Sequence, residues 1–100
     1  MKRCLFPGSY DTFTKGHEAI VHQALSLFDE VVIGVGINSK KQGLFSTDKK
    51  IAHIQALFTA QPNVKVASFQ KLTVEFCKEI GATQIVRGLR DAKDFEYERS

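Results

Sequence analysis

The sequence predicts an α/β fold with a doubly wound parallel sheet. Short β-rich runs alternate with segments of helical periodicity along all 100 residues, which is typical of parallel α/β proteins. The run 31–37 is almost continuously apolar, as expected for a strand covered on both faces. The length and a hydrophobic content of 43% fit one domain over residues 1–100. Because right-handed crossovers wind such a sheet in two directions, ligands are expected where the winding reverses, at the carboxyl ends of strands.

Four strands are predicted, each followed by a helix. The strands are expected at residues 3–6, 31–37, 64–68 and 83–86, and helices at about 16–28, 73–80 and 91–100, with one further helix between the second and third strands. In the first helix, apolar residues at helical spacing predict one buried face: Ile20, Val21, Ala24, Leu25, Leu27 and Phe28.

The later elements have their own signals. Ser46 or Thr47 can cap the second helix, whose core face is predicted to be Ile51, Ile54, Leu57 and Phe58. Gly81 is suited to end the third helix as a left-handed cap. The polar stretch 91–100 reads as helix with no residue to close it, so we expect the natural protein to continue beyond Ser100.

Composition excludes several classes of protein. No apolar run approaches the ~20 residues of a membrane-spanning helix, and the run 4–6 is too short for a signal-peptide core. Cys4 and Cys77 both have apolar neighbours, which predicts reduced core thiols in a cytoplasmic protein. No Cys/His spacing indicates a zinc site, and no metal-ligating residues are assigned. The net charge of +3 does not by itself identify a partner.

The loop after the first strand, residues 7–15, carries the first candidate site. Gly8 allows close approach of a ligand, Ser9 offers a hydroxyl, and the amino end of the following helix favours a phosphate. Gly16 and His17 then place a small residue directly before an imidazole. The alternative is an ordinary turn with a histidine that caps the helix or is solvated.

The loop after the fourth strand carries the second. Arg87 and Arg90 flank Gly88 immediately after a buried strand, and arginine binds phosphate in bidentate fashion. The acidic residues that follow are interpreted as a solvated helix face. Lys40 and Lys41 lie in the loop after the second strand, at the same edge of the sheet, and either one could reach the same pocket.

These loops predict one cationic rim that gathers Ser9, His17, Lys41, Arg87 and Arg90. The rim has neither a pair of acids for hydrolysis nor a Ser-His-Asp set, so it suits phosphoryl or nucleotidyl transfer, in which positioning and charge stabilisation dominate. Neither the Walker lysine loop nor G-x-G-x-x-G is present, and the glycines at 34 and 36 lie within a strand, where packing explains them.

At these residues the sequence resembles the phosphopantetheine adenylyltransferase family of the nucleotidyltransferase superfamily, which is marked by a (T/H)-x-G-H motif. The resemblance covers essentially the whole chain and rests on the segments 6–11, 14–17, 40–45, 85–90 and 94–98. The run R-G-L-R with D-F-E-Y-E is more specific than T-x-G-H. The resemblance implies a Rossmann-like nucleotidyltransferase fold whose C-terminal part is missing here, including another strand and a second, Ser/Thr-rich phosphate-binding motif.

The resemblance also implies a reaction: AMP passes from ATP to 4′-phosphopantetheine, with Mg²⁺, to give dephospho-coenzyme A and pyrophosphate. It implies catalytic roles for His17 and Lys41, of which Lys41 rather than Lys40 aligns with the family's lysine. The acceptor would be bound by Ser9, Lys41, Thr73 and Arg87, and ATP by Ser9, Tyr10, His17, Gly88, Leu89, Arg90 and Glu98. Tyr10 stands where the family usually has Phe, Ser9 where it usually has Thr, and Thr12 where it usually has Pro.

Other functions remain open at this point. A related nucleotidyltransferase could use another acceptor, such as nicotinamide mononucleotide or glycerol phosphate, although those families usually have His at the position of Thr14. A non-catalytic nucleotide-binding module is a second alternative, and nucleic-acid binding is the least favoured. The resemblance further implies a homohexamer and feedback binding of coenzyme A, and no membrane partner is expected.

Overall fold

The computed structural model describes residues 2–10, 13–37, 47–88 and 95–99, with the backbone alone described at 88 and 95–99. Its elements in chain order are β1 (Arg3–Gly8), α1 (Lys15–Leu25), β2 (Glu30–Gly36), α2 (Thr47–Leu57), β3 (Val64–Phe69), α3 (Thr73–Glu79), β4 (Gln84–Gly88) and β5 (Phe95–Arg99). The four predicted strands and the first three predicted helices are present, and the ends for which bounds were predicted differ by at most three residues.

The strands form one sheet in the order β3-β2-β1-β4-β5. Strands β1 to β4 are mutually parallel, whereas β5 is antiparallel to β4. The chain moves outward from β1 to β3 and then crosses back to place β4 on the other side of β1. The winding therefore reverses between β1 and β4, which confirms the doubly wound parallel sheet.

The helices cover both faces of the sheet. One apolar cluster joins alternate residues of β1 and β2, among them Phe6 and Ile33, to α1 and α2. A second cluster joins the intervening residues, among them Leu5 and Val32, to Phe76 and Cys77 of α3. Because β2 contributes to both clusters, its run is apolar at almost every position.

Two residues of the predicted helix faces are exposed to solvent. Leu27 is 50% exposed and Leu57 is 41% exposed. α1 ends at Leu25, so Leu27 lies beyond the helix and no longer follows its periodicity, while Phe28 is buried after the chain turns. Leu57 is the last residue of α2, and it is the next residue, Phe58, that packs into the core.

The prediction of a helix over 91–100 is wrong for residues 95–99, which form β5. In this segment aromatic residues alternate with glutamates (Phe95, Glu96, Tyr97, Glu98), and this period of two is typical of a strand rather than a helix. Pairing with β5 also means that β4 is not an edge strand of the sheet, since β5 pairs with it from Gln84 to Gly88.

Two local predictions are confirmed. Gly81 follows α3 with φ +74°, the left-handed conformation that glycine adopts without steric cost. Cys4 and Cys77 are buried free thiols. Burial raises the pKa of the Cys4 thiol to about 12, so this thiol stays protonated. Among the described residues no helix has the length and apolar character needed to cross a bilayer.

Candidate functional site

The predicted site lies at the reversal of winding, where β1 and β4 end side by side. Ser9 and Tyr10 directly follow β1, and Arg87 and Gly88 are the last residues of β4. The two strands are in parallel register at Leu5 and Ile85, and two residues further along each strand come Pro7 and Arg87. The backbone therefore brings the loop after β1 and the guanidinium-bearing end of β4 to one edge of the sheet.

Thr14 and His17 form a reciprocal cap at the amino end of α1. The Thr14 backbone N–H donates to His17 Nδ1 at 3.0 Å, and the His17 backbone N–H donates to Thr14 Oγ1 at 3.2 Å. This is a capping box in which histidine replaces the usual Glu or Gln. The alternative interpretation of His17, as a helix-capping residue, is thus confirmed. The cap uses Nδ1 and does not involve Nε2.

The cap determines the protonation of the imidazole. Because Nδ1 accepts a hydrogen bond from a backbone N–H, the neutral ring carries its proton on Nε2. Three aromatic rings hold the imidazole in place: Phe6, Tyr10 and Phe13 lie with centroids 6.1, 5.2 and 5.3 Å from it. The resulting desolvation lowers the pKa of His17 below its usual value of 6.5, which favours this neutral tautomer.

Tyr10 is a core residue within the predicted ATP loop. Its ring is buried, and its hydroxyl donates to the Phe6 carbonyl oxygen at 2.8 Å. Burial raises the pKa of the phenol, which therefore remains a donor. The backbone of Tyr10 has φ +50°, an unfavourable conformation for a residue with a side chain. The ring of Tyr10 therefore packs in the core and is not exposed at the edge of the sheet.

The two glycines of the loop have different surroundings. A Cβ on Gly8 would lie 3.0 Å from Tyr10 Cζ, so the absence of a side chain at Gly8 makes room for the tyrosine ring. A Cβ on Gly16 would meet only Thr14 Oγ1, at 3.5 Å, an ordinary contact. The Gly16 position is therefore less tightly packed than the Gly8 position.

Ser9 is exposed, and a lysine missed by the sequence analysis contacts its backbone. Lys50, in the first turns of α2, donates from Nζ to the Ser9 carbonyl oxygen at 3.1 Å. The two residues are 41 positions apart, and the only signal in the sequence was a cation near the start of the helix after β2, which no local pattern distinguishes from a solvated lysine.

Thr73 is the first residue of α3, which follows β3 at the far side of β2. An open cavity of about 570 Å³ lies nearby, although Thr73 is not part of its lining, which consists of Ile37, Ser68, Phe69, Gln70, Lys71, Phe76 and Glu79. The rings of Phe69 and Phe76 stack within it, 4.6 Å apart and nearly parallel. Phe69 is packed against the core and also borders this cavity.

The structure describes only part of the predicted site. Lys40, Lys41, Leu89 and Arg90 lie outside the described residues. Gly88 and Glu98 are described by their backbone alone, in β4 and in β5 opposite Ile85. The described residues thus gather Ser9, Tyr10 and His17 around the end of β1, with Arg87 at the end of the neighbouring strand and Thr73 on a separate element.

The chain is similar to known proteins in both sequence and structure. The cytidylyltransferase-like family model matches residues 5–100. A phosphopantetheine adenylyltransferase from Leuconostoc citreum (strain KM20) is 52% identical over 99 residues, which are 99% of this chain and 63% of that protein. A protein of the same name from Bacteroides fragilis is 44% identical over 100 residues, all of this chain and 67% of that protein. The chain thus spans about two thirds of the length of these curated relatives.

Among solved structures, the chain is similar to a bifunctional NMN adenylyltransferase/ADP ribose pyrophosphatase from Francisella tularensis, a crystal structure of a complex with AMP and a manganese ion. The TM-score is 0.59 with 21% sequence identity, and the match covers 77% of this chain and 25% of the other. At this identity the likeness concerns the fold alone, and it agrees with the doubly wound sheet described above.

Proposed function

Since the chain belongs to the cytidylyltransferase-like family, we propose that the protein transfers AMP from ATP to 4′-phosphopantetheine, giving dephospho-coenzyme A and pyrophosphate. The observation that carries the proposal is the His17 imidazole, which is held by its cap at the amino end of α1 with Nε2 as its donor. Identities of 52% and 44% to proteins named phosphopantetheine adenylyltransferase support this choice among the reactions of the family.

The proposed reaction is a direct displacement. An oxygen of the acceptor phosphate attacks the α-phosphorus of ATP and forms a new P–O bond. The bond from the α-phosphorus to the oxygen that bridges to the β-phosphate breaks, and pyrophosphate leaves with that electron pair. No protein nucleophile is needed, so the side chains contribute by aligning two anions and stabilising the charge that develops between them.

In this reaction the neutral His17 donates from Nε2 to a phosphate oxygen of ATP, and the Ser9 hydroxyl contacts both substrates. Arg87 binds the acceptor with Thr73. Lys41 binds the acceptor phosphate and orients its attack. Gly88, Leu89, Arg90 and Glu98 surround ATP, together with the Tyr10 backbone. The cationic side chains reduce the repulsion between the two phosphate groups, which is the main barrier to bringing them together.

Mg²⁺ is proposed to arrive with ATP. The described part of the chain contains no cluster of three or more His, Cys, Asp or Glu that could hold a metal ion. In the proposed complex the magnesium ion is held mainly by phosphate oxygens and water, the usual arrangement in nucleotide enzymes. The ion would neutralise charge on the triphosphate, while the alignment described above depends on the protein's own side chains.

The test is pyrophosphate release by the natural protein that contains this chain, supplied with ATP, Mg²⁺ and 4′-phosphopantetheine. We expect release that depends on the acceptor and falls to background in His17→Ala. Nicotinamide mononucleotide and glycerol phosphate serve as competing acceptors. Turnover with one of them in place of phosphopantetheine would contradict the proposed substrate, and ATP binding by calorimetry without any product would favour a nucleotide-binding module.

Assembly, regulation and location are part of the same proposal. By analogy with the family we propose a cytoplasmic homohexamer that also binds coenzyme A as a feedback ligand. Light scattering of the natural protein measures the first, and a single mass near that of one protomer would contradict it. Calorimetry with coenzyme A in competition with ATP measures the second.

A further inference from the structure

The contact between Lys50 and Ser9 joins a helix to the loop that follows β1. Lys50 Nζ lies 3.1 Å from the Ser9 carbonyl oxygen. We propose that Lys50 is a positioning residue of the site, which fixes the peptide between Ser9 and Tyr10 in the orientation that the substrates require. This inference rests on the proposed function and adds to it a residue of α2 that contacts no reacting atom.

The geometry of the loop explains why such a contact is needed. Tyr10 adopts φ +50°, which costs a non-glycine residue on the order of 1 kcal/mol or more and persists only where its surroundings enforce it. On one side the Tyr10 hydroxyl is anchored to the Phe6 carbonyl oxygen at 2.8 Å. On the other side the peptide that enters Tyr10 is anchored through its carbonyl oxygen to Lys50. The two anchors together hold the strained residue.

Charge gives Lys50 a second effect at the same atom. The Ser9 carbonyl carries partial negative charge at the edge where two phosphate-bearing substrates are proposed to meet, and it would repel them if it turned toward them. An ammonium group hydrogen-bonded to this oxygen offsets its charge, and such charge-assisted bonds are stronger than neutral ones. Lys50 thus keeps the oxygen directed toward α2, while the Ser9 hydroxyl is left for the substrates.

The experiment compares three variants of the natural protein. Lys50→Met keeps the packing of the aliphatic stem and removes the donor and its charge. Lys50→Arg keeps both the donor and the charge. Lys49→Met makes the same charge change on the adjacent, exposed residue of α2 and serves as the matched control. For each variant kcat and KM are measured with both substrates, and the Kd of ATP alone is measured by calorimetry.

We expect Lys50→Met to raise both KM values and the Kd of ATP, with a loss of about tenfold in kcat/KM, the scale of one hydrogen bond to a charged group. The KM rises because the loop must then be ordered at the expense of binding. A purely structural role would lower the fraction of folded enzyme, and so the apparent kcat, without changing KM. Lys50→Arg is expected to restore both parameters, and Lys49→Met to match the wild type.

Unchanged KM and Kd in Lys50→Met, or an equal loss in Lys49→Met, would overturn the inference, the latter by assigning the effect to overall charge. Failure of Lys50→Arg to restore KM would overturn it as well. These outcomes are distinct from failure of the proposed function, since that failure appears in the wild type as the absence of pyrophosphate release.

Discussion

The imidazole of His17 and the backbone of Thr14 hold each other through two hydrogen bonds, 3.0 and 3.2 Å long, that run in opposite directions. One nitrogen of the ring is thereby used for helix capping, and the proposed function assigns the other, Nε2, to the substrate. The T-x-G-H motif would then combine a structural role at Nδ1 with a proposed chemical role at Nε2. The two roles belong to different atoms, so they can be separated by substitution.

Two amide replacements of His17 are predicted to separate them. Asn places its side-chain oxygen near the position of Nδ1, where it can accept from Thr14, but it does not reach the position of Nε2. We expect His17→Asn to unfold close to the wild type and to lose about 10²–10³ in kcat, as when a single transition-state donor is removed. Thermal unfolding and pyrophosphate release measure the two effects.

The partner variant is His17→Gln, whose longer side chain can place an amide near Nε2 but leaves the Thr14 N–H without its acceptor. We expect it to keep more activity than His17→Asn and to lose about 1 kcal/mol of stability, the usual cost of a lost cap. His53→Ala, on the exposed face of α2, is the control for removal of an imidazole. Equal activity in the Asn and Gln variants would contradict the assignment of roles.

The pH dependence of stability is predicted from the lowered pKa of His17, which burial of the ring causes. Between that lowered value and the usual 6.5, the unfolded chain binds a proton at this residue and the folded chain does not. The contribution of His17 to the free energy of unfolding is therefore largest above pH 6.5 and decreases as the pH falls through this window.

Urea unfolding between pH 7.5 and 5.5 measures this slope. His17→Asn, which does not titrate there, should show a smaller loss of stability as the pH falls. NMR titration of the imidazole should place its pKa below 6.5 and show the proton on Nε2 at neutral pH. A pKa at or above 6.5, or a proton on Nδ1, would contradict the cap-based assignment.

Tyr10→Phe is predicted to reduce stability while leaving the chemistry in place. The substitution removes the buried hydrogen bond from the phenol to the Phe6 carbonyl oxygen and keeps the ring over Gly8. We expect the free energy of unfolding to fall by about 1 kcal/mol, the net value of a typical hydrogen bond. kcat should remain within about twofold, since the ring faces the core. Unchanged stability would mean that the hydroxyl contributes nothing to holding the loop.

Sequence patterns predicted the fold because strand and helix periodicities are local. The apolar run of β2 and the glycine that ends α3 needed no knowledge of distant residues, and together with the order of elements they indicated the reversal of winding beside β1. The β5 segment was wrongly predicted to be a helix, and that error also came from a local pattern. Its charges suggested a solvated helix, whereas the alternation of Phe95 and Tyr97 with glutamates indicates a strand.

The site was predicted less completely because its contacts are not local or use an unexpected residue. Capping by His17 was predicted only as an alternative, since the usual capping box has Glu or Gln three residues after the cap and this chain has His17. The role of Gly8 was assigned to a ligand because the sequence does not show that the Tyr10 ring occupies the space above it. The hydrogen bond from Lys50 to Ser9 joins residues that are 41 positions apart in the sequence, so no local pattern indicates it.

The two glycines of β2 differ in how closely other side chains pack against them. A Cβ on Gly34 would lie 2.9 Å from Leu5 Cδ1 and 3.1 Å from Phe69 Cε1, whereas a Cβ on Gly36 would come no closer than 3.7 Å to any atom. Gly34→Ala therefore overpacks the face covered by α3, and we expect it to cost about 1–3 kcal/mol of unfolding free energy. Gly36→Ala should be tolerated, with a change below about 0.5 kcal/mol.

Chemical denaturation of the two variants under identical conditions measures the difference. Because Phe69 also borders the cavity near α3, Gly34→Ala is further expected to displace this ring from its stack on Phe76, while Gly36→Ala leaves the stack intact. Equal stabilities would indicate that Leu5 and Phe69 move aside without cost. The glycine at 34 would then reflect something other than the close approach of these two side chains.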